Sequence, residues 1–358
     1  MTIPYKKTVL SFCAELSPAA EAVGSVNTLV RRPDGTIFGD NTDAEGFRLT
    51  VLRSGAEIRG KKALVLGSGG ASAAVSWVLR DMGARVVVVS RTGEDNYRNL
   101  SRHRDAELLV NATPVGMNPH NGQAPLDLSE LPALRWVMDL VYNPRRTALL
   151  LQAEKLGIPF DDGLVMLVAQ AKRSAELFSG SPIPDGRIDE ITRELAREMG
   201  NIILIGMPGC GKTTVAGLLG RALGRPVVDA DAEIAAEAGC SIPQLFTREG
   251  EVGFRARETA VLSRLGARSG VVLATGGGCV TRPENYAVLH QNGVIIWLRR
   301  DLDKLPISGR PLSQQTGPAE LYRQRRSLYE AFADYTIDNN GPAEETLRRV
   351  LEVLSCAF

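Results

Sequence analysis

Two glycine-rich turns, each entered from a short apolar run and left into a helical pattern, constrain the fold of this chain most. The first is KALVLGSGGAS at residues 62–72, and the second is NIILIGMPGCGKTT at residues 201–214. A buried strand, a glycine turn and an amphipathic helix in this order are typical of parallel sheets with helices on both faces. The sequence therefore predicts an α/β protein with two such sheets, and the two turns differ too much to be repeats.

The length of 358 residues predicts two or three domains. A loop rich in proline and glycine, GSPIPDG at residues 180–186, is followed by an amphipathic pattern that predicts a helix over 187–199. We therefore place a boundary near Gly200. The predicted parts are residues 1–47, 48–180 (a dinucleotide-binding domain of Rossmann type), 181–200 (helix and linker) and 201–358.

The charges nearly cancel, with 42 Lys and Arg against 41 Asp and Glu. This balance indicates neither a nucleic-acid nor a membrane partner, so small molecules are the expected partners. No apolar segment of a signal peptide follows Met1, and the predicted location is the cytoplasm. The five cysteines are odd in number and lack Cys-x-x-Cys spacing, so we expect buried, reduced thiols. The oligomeric state is not predicted.

The second turn, GMPGCGKT at residues 206–213, matches the phosphate-binding P-loop pattern in the required context of strand and helix. Glycines let backbone amides turn toward phosphate oxygens, and the helix N-terminus adds a positive dipole end. Lys212 can reach the terminal phosphates, and the hydroxyl of Thr213 can bind Mg²⁺. We predict an ATP and Mg²⁺ site. Its nucleotide-binding residues are Gly209, Cys210, Gly211, Lys212, Thr213 and Thr214.

Acids and arginines further along indicate what receives the phosphoryl group. Asp229 and Asp231 end the next predicted strand, where they can hold Mg²⁺ or orient an attacking hydroxyl. A helix cap is the structural alternative for Asp231. Arg255, Arg310 and Arg325 are each weak signals alone, because most surface arginines are simply solvated. The later motifs are GEVGFRARE with Arg255, ATGGG with Gly277, GRPL with Arg310, and RRSLY with Arg325.

In this order, the motifs of residues 201–358 resemble shikimate kinase. The resemblance implies that Asp231 acts on the 3-hydroxyl of shikimate, while Lys212 and Arg310 stabilise the transferring phosphoryl group and contact ATP. The residues implied to hold shikimate are Asp231, Arg255, Gly277 and Arg325, and those implied to hold Mg²⁺ are Thr213 and Asp229. The segment 301–308 is shorter than the lid of that family, and Lys304 is its candidate for a first lid cation.

The first turn predicts a dinucleotide site because a strand precedes it and a helix, predicted over 73–82, follows it. The next predicted strand, 85–89, ends in Ser90, Arg91 and Thr92, where an NAD site usually carries an acid. Arg91 favours a 2′-phosphate and hence NADP. A Rossmann domain without cofactor is the alternative. The turn residues are Gly67, Ser68, Gly69, Gly70 and Ala71.

Six motifs spread over residues 1–198 resemble shikimate dehydrogenase: TIPYK, GSVNT, GDNTDAEG, NATPVGM, DLVYNP and DGLVMLVAQA. The resemblance implies that Lys6 and Asp43 act on the proton of the oxidised hydroxyl, although most Lys–Asp pairs are surface ion pairs. The residues implied to contact shikimate are Thr2, Asn27, Tyr142 and Gln170. Those implied to contact NADP are Ser90, Arg91, Thr92 and Gly163.

Members of that family begin earlier than this chain, whose Met1 stands at a valine of their Asn-Val-Thr-x-Pro-x-Lys motif. We expect either a GTG codon read as a start or a gene fragment. Residues 1–47 are then the remnant of a substrate domain, and dehydrogenase activity is impaired. Asp95 stands where the family often has a basic residue, so NAD use stays open.

Three functions are compatible with these patterns. The first is a bifunctional enzyme of aromatic (chorismate) biosynthesis that interconverts 3-dehydroshikimate and shikimate with NADP and phosphorylates shikimate with ATP. The second is a kinase with a non-catalytic NADP-binding appendage. The third is a nucleotide-sensing regulator without turnover. Gluconate or a nucleoside as the kinase acceptor, and quinate at the dehydrogenase site, also stay open.

Overall fold

The computed structural model describes residues 5–305 and 317–357. The chain divides into two compact units, Met1–Arg193 and Glu194–Phe358. The division falls inside the helix Gly186–Met199, whose bounds lie within one residue of the predicted helix. No helix among the described residues is both long and apolar enough to cross a membrane.

The first unit begins with a 3-10 helix, Thr8–Phe12, and a three-stranded sheet. Its elements are β1 (Glu15–Leu16), α1 (Pro18–Val23), β2 (Thr28–Arg31) and β3 (Ile37–Asp40). The strand order is β1-β3-β2, with β1 parallel and β2 antiparallel to β3. This small sheet leads into α2 (Thr42–Ser54), which carries one of the predicted catalytic residues in its first turn.

A five-stranded parallel sheet forms the rest of the first unit. Its elements are β4 (Lys62–Leu66), α3 (Gly70–Asp81), β5 (Arg85–Val89), β6 (Leu108–Asn111), β7 (Trp136–Asp139), α4 (Ala148–Lys155), β8 (Phe160–Asp161) and α5 (Leu164–Ser179). They are followed by α6 (Gly186–Met199), the helix in which the division between the units falls. The order is β5-β4-β6-β7-β8. Successive side chains of β4 point to opposite faces, so Ala63 and Val65 join one core while Leu64 and Leu66 join another. Because β4 is buried on both faces of the sheet, its apolar residues follow one another without interruption.

The second unit is built around another five-stranded parallel sheet. Its elements are β9 (Asn201–Ile205), α7 (Lys212–Leu223), β10 (Val227–Asp229), α8 (Ala230–Ala238), α9 (Ile242–Gly266), β11 (Val272–Ala274), α10 (Glu284–His290), β12 (Gly293–Arg299), α11 (Pro318–Phe332), β13 (Tyr335–Asp338) and α12 (Ala343–Ala357). The order is β10-β11-β9-β12-β13, and every residue of the central β9 is buried. The predicted α/β class with parallel sheets is confirmed. In both sheets the glycine turn leaves the carboxyl end of a central strand, where open α/β sheets bind ligands.

A sharp kink interrupts α9 at Gly250, where φ is +67° and ψ is −178°. Such a backbone conformation strongly favours glycine, because residues with a side chain rarely adopt this φ angle, although the space around Gly250 is open. The kink sets the direction of the second part of α9, which carries Arg255. The motif GEVGFRARE did not predict this kink.

The cysteines depart from one expectation. Cys210 and Cys279 are buried, but Cys356 is exposed and Cys13 and Cys240 are half-buried. The prediction of buried thiols was therefore wrong for three of the five positions.

Candidate active sites

The P-loop of the second unit connects β9 to α7 through glycines with left-handed backbone angles. The φ angle is +83° at Gly209 and +100° at Gly211, and Gly211 directly precedes the first turn of α7. A Cβ on Gly211 would lie 2.7 Å from Nδ2 of Asn339, so the loop has no room for a side chain there. These turns present backbone amides at a helix N-terminus, an arrangement that fits the phosphates of a nucleotide.

Lys212 lies inside this loop and is only 8% exposed. Its Nζ donates hydrogen bonds to the carbonyl oxygens of Gly206 (2.9 Å) and Met207 (3.1 Å). In the described part of the chain it forms no ion pair with a carboxylate. Carbonyl dipoles hold the ammonium group in place without neutralising it, so its charge is available to a phosphate.

Thr213 and Asp229 bring two oxygen ligands together at the edge of the P-loop. The Thr213 hydroxyl donates to Oδ2 of Asp229 at 2.7 Å. Hydroxyl and carboxylate oxygens are the ligands that Mg²⁺ prefers. The described residues contain no group of three or more His, Cys, Asp or Glu side chains that could hold a metal ion. Thr213 and Asp229 fit a magnesium ion whose remaining ligands would come from nucleotide phosphates.

Asp229, rather than Asp231, caps the following helix. Oδ1 of Asp229 accepts hydrogen bonds from the amides of Asp231 (3.0 Å) and Ala232 (3.3 Å). The alternative of Asp231 as the cap was wrong, because α8 already begins at Ala230 and Asp231 lies in its first turn. The carboxylate of Asp231 is thus left to face the site.

Asp231 has the properties of a proton acceptor. Burial raises the pKa of its carboxyl group and Asp229 raises it further, while Lys212 and Arg255 lower it. A carboxylate that holds a proton more readily than usual is better matched to removing one from a hydroxyl. A Cβ on Gly276 would lie 2.7 Å from Oδ1 of Asp231, so the acid lies directly against the triple-glycine segment.

Arg255 is oriented by a buried acid that the sequence analysis did not single out. Its Nη1 donates to Oε2 of Glu258 at 2.6 Å, and Glu258 is fully buried. The spacing of three residues on one helix places both on the same face, a signal that could have identified the pair. Gly278 makes room for the guanidinium, because a Cβ there would lie 2.0 Å from Nη2 of Arg255.

Arg325 approaches the same segment from α11. Its Nη1 donates to the carbonyl oxygen of Gly277 at 3.2 Å, and the hydroxyl of Tyr329 donates to that same oxygen. Both side chains are buried. The carbonyl holds Arg325 in place but carries no full charge, so the guanidinium can still pair with an anion.

One cavity of about 470 Å³ joins the P-loop to these groups. Phe246 and Phe254 line it as well, stacked with ring centroids 4.5 Å apart. The predicted residues that line it are Gly209, Gly211, Lys212, Thr213, Thr214, Asp229, Asp231, Arg255, Gly277 and Arg325. Cys210 is buried beneath the loop and is not among the lining residues. Arg310 lies outside the described residues, and Lys304 forms a 3.4 Å ion pair with Asp301.

In the first unit, Lys6 and Asp43 form a close ion pair. Nζ of Lys6 lies 2.7 Å from Oδ2 of Asp43, and their side chains are 19% and 11% exposed. Asp43 belongs to the first turn of α2. A Cβ on Gly70 would lie 3.7 Å from Cδ of Lys6, so the pair adjoins the glycine turn. Because the side chains of Lys6 and Asp43 are largely shielded from solvent and lie next to the glycine turn, this pair is unlike an exposed surface ion pair.

The glycine turn of the first unit is tightly built. Gly67 has a φ of +107°, its amide donates to the carbonyl of Val89 (2.8 Å), and its carbonyl accepts from the hydroxyl of Ser72 (2.6 Å). A Cβ on Gly67 would lie 3.1 Å from the carbonyl oxygen of Ala112. Ser68 and Gly69 are exposed, and Gly70 and Ala71 begin α3. The open helix N-terminus fits a dinucleotide diphosphate.

The residues implied to contact shikimate occupy different positions. Oδ1 of the buried Asn27 accepts from the amide (2.9 Å) and hydroxyl (3.2 Å) of Thr42, which fixes the start of α2. Gln170 on α5 packs against Gly46 of α2. Tyr142 follows β7 and is 38% exposed. The contacts of the described residues do not link Tyr142 to Lys6 or Asp43, and Thr2 lies outside the described residues.

The residues implied to contact NADP lie in two loops. Ser90 is buried at the end of β5, and Arg91 and Thr92 after it are exposed. Gly163 precedes α5, and a Cβ there would lie 2.1 Å from the carbonyl oxygen of Leu140. Glycine at this position therefore allows close packing of two backbone segments at the carboxyl edge of the sheet.

Asp139, at the end of β7, is a buried acid within the DLVYNP motif. It accepts hydrogen bonds from Nδ2 of Asn111 (2.9 Å), the amide of Val141 (3.0 Å) and the hydroxyl of Thr147 (2.7 Å). Burial raises the pKa of Asp139 to about 7 although these bonds lower it. Its bonds join three segments of the loop region, so its role is structural.

Comparison with known proteins agrees with this division. The sequence model of the family described as shikimate kinase matches residues 208–355. A shikimate kinase of Thiobacillus denitrificans is 43% identical, over 42% of this chain and 87% of its own length. An NADP⁺ shikimate dehydrogenase of Methanopyrus kandleri is 39% identical, over 55% of this chain and 75% of its own length.

A solved structure supports the fold of the first half. A chorismate mutase/shikimate 5-dehydrogenase fusion protein from Clostridium acetobutylicum is 36% identical, with a TM-score of 0.52, over 54% of this chain and 75% of its own. The chain therefore belongs to the shikimate dehydrogenase family through its N-terminal half and to the shikimate kinase family through its C-terminal half.

Proposed function

We propose that the second unit transfers the γ-phosphoryl group of ATP to the 3-hydroxyl of shikimate. One observation carries this proposal: a single cavity joins the P-loop to two buried arginines, Arg255 and Arg325. Glu258 pairs closely with Arg255, whereas the hydrogen-bond acceptor of Arg325 is a neutral carbonyl. Arg255 also lies 3.4 Å from Glu251, so Arg325 is the guanidinium whose charge is less balanced by neighbouring acids. A carboxylated acceptor could pair with it, and an uncharged nucleoside could not.

The residues of this unit would divide the reaction among them. Asp231 orients the 3-hydroxyl and takes its proton, and Lys212 stabilises negative charge on the transferring group. Thr213 and Asp229 would hold Mg²⁺, which supplies charge neutralisation at the phosphates when bound. Arg310 keeps the role that the family resemblance implies, as a second cation for the phosphoryl group.

We also propose that the first unit interconverts 3-dehydroshikimate and shikimate. Lys6 gives or takes the proton of the substrate oxygen, and Asp43, 2.7 Å away, holds the ammonium group in place. NADP, when bound, supplies hydride transfer. The glycine turn at residues 67–71, the loop at 90–92 and Gly163 would hold this cofactor, while Asn27, Tyr142, Gln170 and Thr2 would contact the substrate.

The two proposed reactions are consecutive. Reduction of the 3-keto group creates the hydroxyl group that the kinase unit phosphorylates, so the product of one unit is the substrate of the other. The cytoplasmic location predicted from the sequence stays a prediction.

The test measures both activities on one preparation of the purified chain. With shikimate and NADP⁺ but no ATP, we expect NADPH absorbance to appear; with ATP and Mg²⁺, we expect shikimate 3-phosphate. Lys6→Ala should abolish only the first activity and Asp231→Asn only the second, so each variant is the folding control for the other. An active kinase without NADPH formation would instead support a non-catalytic NADP-binding appendage.

A further inference from the structure

Two residues of opposite charge lie in the loop after β5, the region where dinucleotide-binding domains distinguish NADP from NAD. A cation at this position suits the 2′-phosphate of NADP, and an acid suits the 2′-hydroxyl of NAD. This chain has both, Arg91 and Asp95, only four residues apart. The sequence alone leaves the preference open.

The loop returns Asp95 to the strand end. The amide of Ser90 donates to the carbonyl oxygen of Asp95 at 3.1 Å. Asn96 donates from Nδ2 to the carbonyl of Gly93 (3.2 Å), and Asn99 donates to the carbonyl of Glu94 (2.8 Å). The acid is thus held beside the predicted nucleotide loop and is not carried away from it.

The carboxylate of Asp95, however, is occupied. Its Oδ1 lies 2.8 Å from Nε2 of His103, the last residue of the 3-10 helix Leu100–His103. Because an ionised carboxylate can only accept, Nε2 is the donor. His103 is 7% exposed and is therefore fixed by its surroundings. Arg91, in contrast, is exposed and forms no ion pair within the described ranges.

We propose that His103 is a positioning residue for nucleotide specificity, which holds the Asp95 carboxylate away from the 2′-position so that Arg91 alone determines the preference for NADP. This inference rests on the proposed dinucleotide site. An unrestrained carboxylate beside the 2′-phosphate would repel it, and the same carboxylate could accept a hydrogen bond from a ribose hydroxyl. Loss of the histidine should therefore act on NADP and not on NAD.

The experiment measures binding of NADP⁺ and NAD⁺ to the full chain by isothermal titration calorimetry at one fixed pH. His103→Leu removes the donor, and His103→Gln retains one as the matched control. We expect His103→Leu to weaken NADP⁺ binding about fivefold, as a charge a few ångströms from the phosphate in water would. NAD⁺ binding should stay unchanged or tighten, and His103→Gln should resemble the original chain.

Asp95→Asn and the double variant with His103→Leu complete the cycle. Asp95→Asn alone should leave NADP⁺ binding close to that of the original chain, because the carboxylate is already held away from the 2′-position. The double variant should bind NADP⁺ like Asp95→Asn and not like His103→Leu, because the histidine acts through the charge of Asp95. Equal weakening of both nucleotides, or a double variant as weak as His103→Leu, would overturn the inference and assign His103 a purely structural role. If His103→Leu does not fold, Asp95→Asn decides alone. An unchanged NADP⁺ to NAD⁺ ratio agrees with a carboxylate that is held away, and a several-fold tightening of NADP⁺ binding refutes the proposal. If the original chain binds neither nucleotide, the proposed cofactor site itself fails.

Discussion

Replacing Gly278 by alanine tests the arginine anchor of the kinase site most directly. Gly278 has φ −106° and ψ 5°, a conformation open to alanine, so the substitution acts only through the added methyl group. That Cβ would lie 2.0 Å from Nη2 and 2.4 Å from Nη1 of Arg255. Normal contacts need about 3.5 Å, so the guanidinium must retreat by roughly 1.5 Å.

The retreat removes Arg255 from the substrate carboxylate and strains its bond to Glu258. A charge-assisted hydrogen bond contributes about 1.5–3 kcal/mol, so kcat/KM for shikimate should fall between about tenfold and a hundredfold. KM for ATP should not change, because the P-loop is untouched. Disrupting a buried ion pair should also lower the free energy of unfolding of this unit by about 3 kcal/mol.

Steady-state phosphorylation with varied shikimate and varied ATP separates these effects. Gly217→Ala is the matched control, because a Cβ at this helical position meets only Nη1 of Arg221, at 4.0 Å. It should leave both KM values unchanged and stabilise the unit by roughly 0.5–1 kcal/mol. If Gly278→Ala retains the original kcat/KM for shikimate, Arg255 does not hold the carboxylate, and the argument from the cavity is wrong.

Three further predictions concern proton-binding groups. Asp231→Asn should lower kcat of the kinase by about 10²–10⁴-fold without changing ATP binding. In the original chain, kcat should fall as the pH drops through the raised pKa of Asp231, because the protonated acid cannot accept a proton. A pH-independent kcat would contradict this role. Lys6→Met should abolish NADPH formation and leave shikimate phosphorylation intact, and residual dehydrogenase activity near the original level would remove Lys6 from the mechanism. Asp139 has a folded-state pKa of about 7, above the ordinary 3.8, so its contribution to stability is full below about pH 4 and is lost as the pH rises through 7. The loss is at most about 4 kcal/mol, and urea unfolding of Asp139→Asn should lack that pH dependence, whereas an unchanged dependence would assign it to another group.

The fold could be predicted from the sequence wherever its signals are local. The run 201–205 became a central strand that is buried on both faces, and the run 85–89 became a half-buried strand at the edge of its sheet. In both cases an apolar segment bounded by turn residues was sufficient to predict the strand. The kink at Gly250 was not predicted, because a glycine in the sequence permits an unusual φ without requiring it. The cap of α8 was also not predicted correctly. It is Asp229 and not Asp231, because the helix begins at Ala230, and the sequence pattern does not give the first residue of a helix that accurately.

The candidate sites divide in the same way. The residues of the P-loop are consecutive in the sequence, so the sequence pattern was sufficient to predict the geometry of this part of the site. Glu258 was missed as a partner of Arg255. Their spacing on one helix could have indicated the pair, but its burial could not be predicted from the sequence. The roles of the individual site residues stay predictions until the variants are measured.

Asp229 has a consequence for how the two substrates of the kinase influence each other. One of its carboxylate oxygens caps α8, which carries Asp231, and the other accepts from Thr213 on the nucleotide side. Ordering of the metal and nucleotide would therefore be transmitted to the helix that faces the acceptor. Such coupling is thermodynamically reciprocal. If bound acceptor increases the affinity for the nucleotide by some factor, bound nucleotide increases the affinity for the acceptor by the same factor.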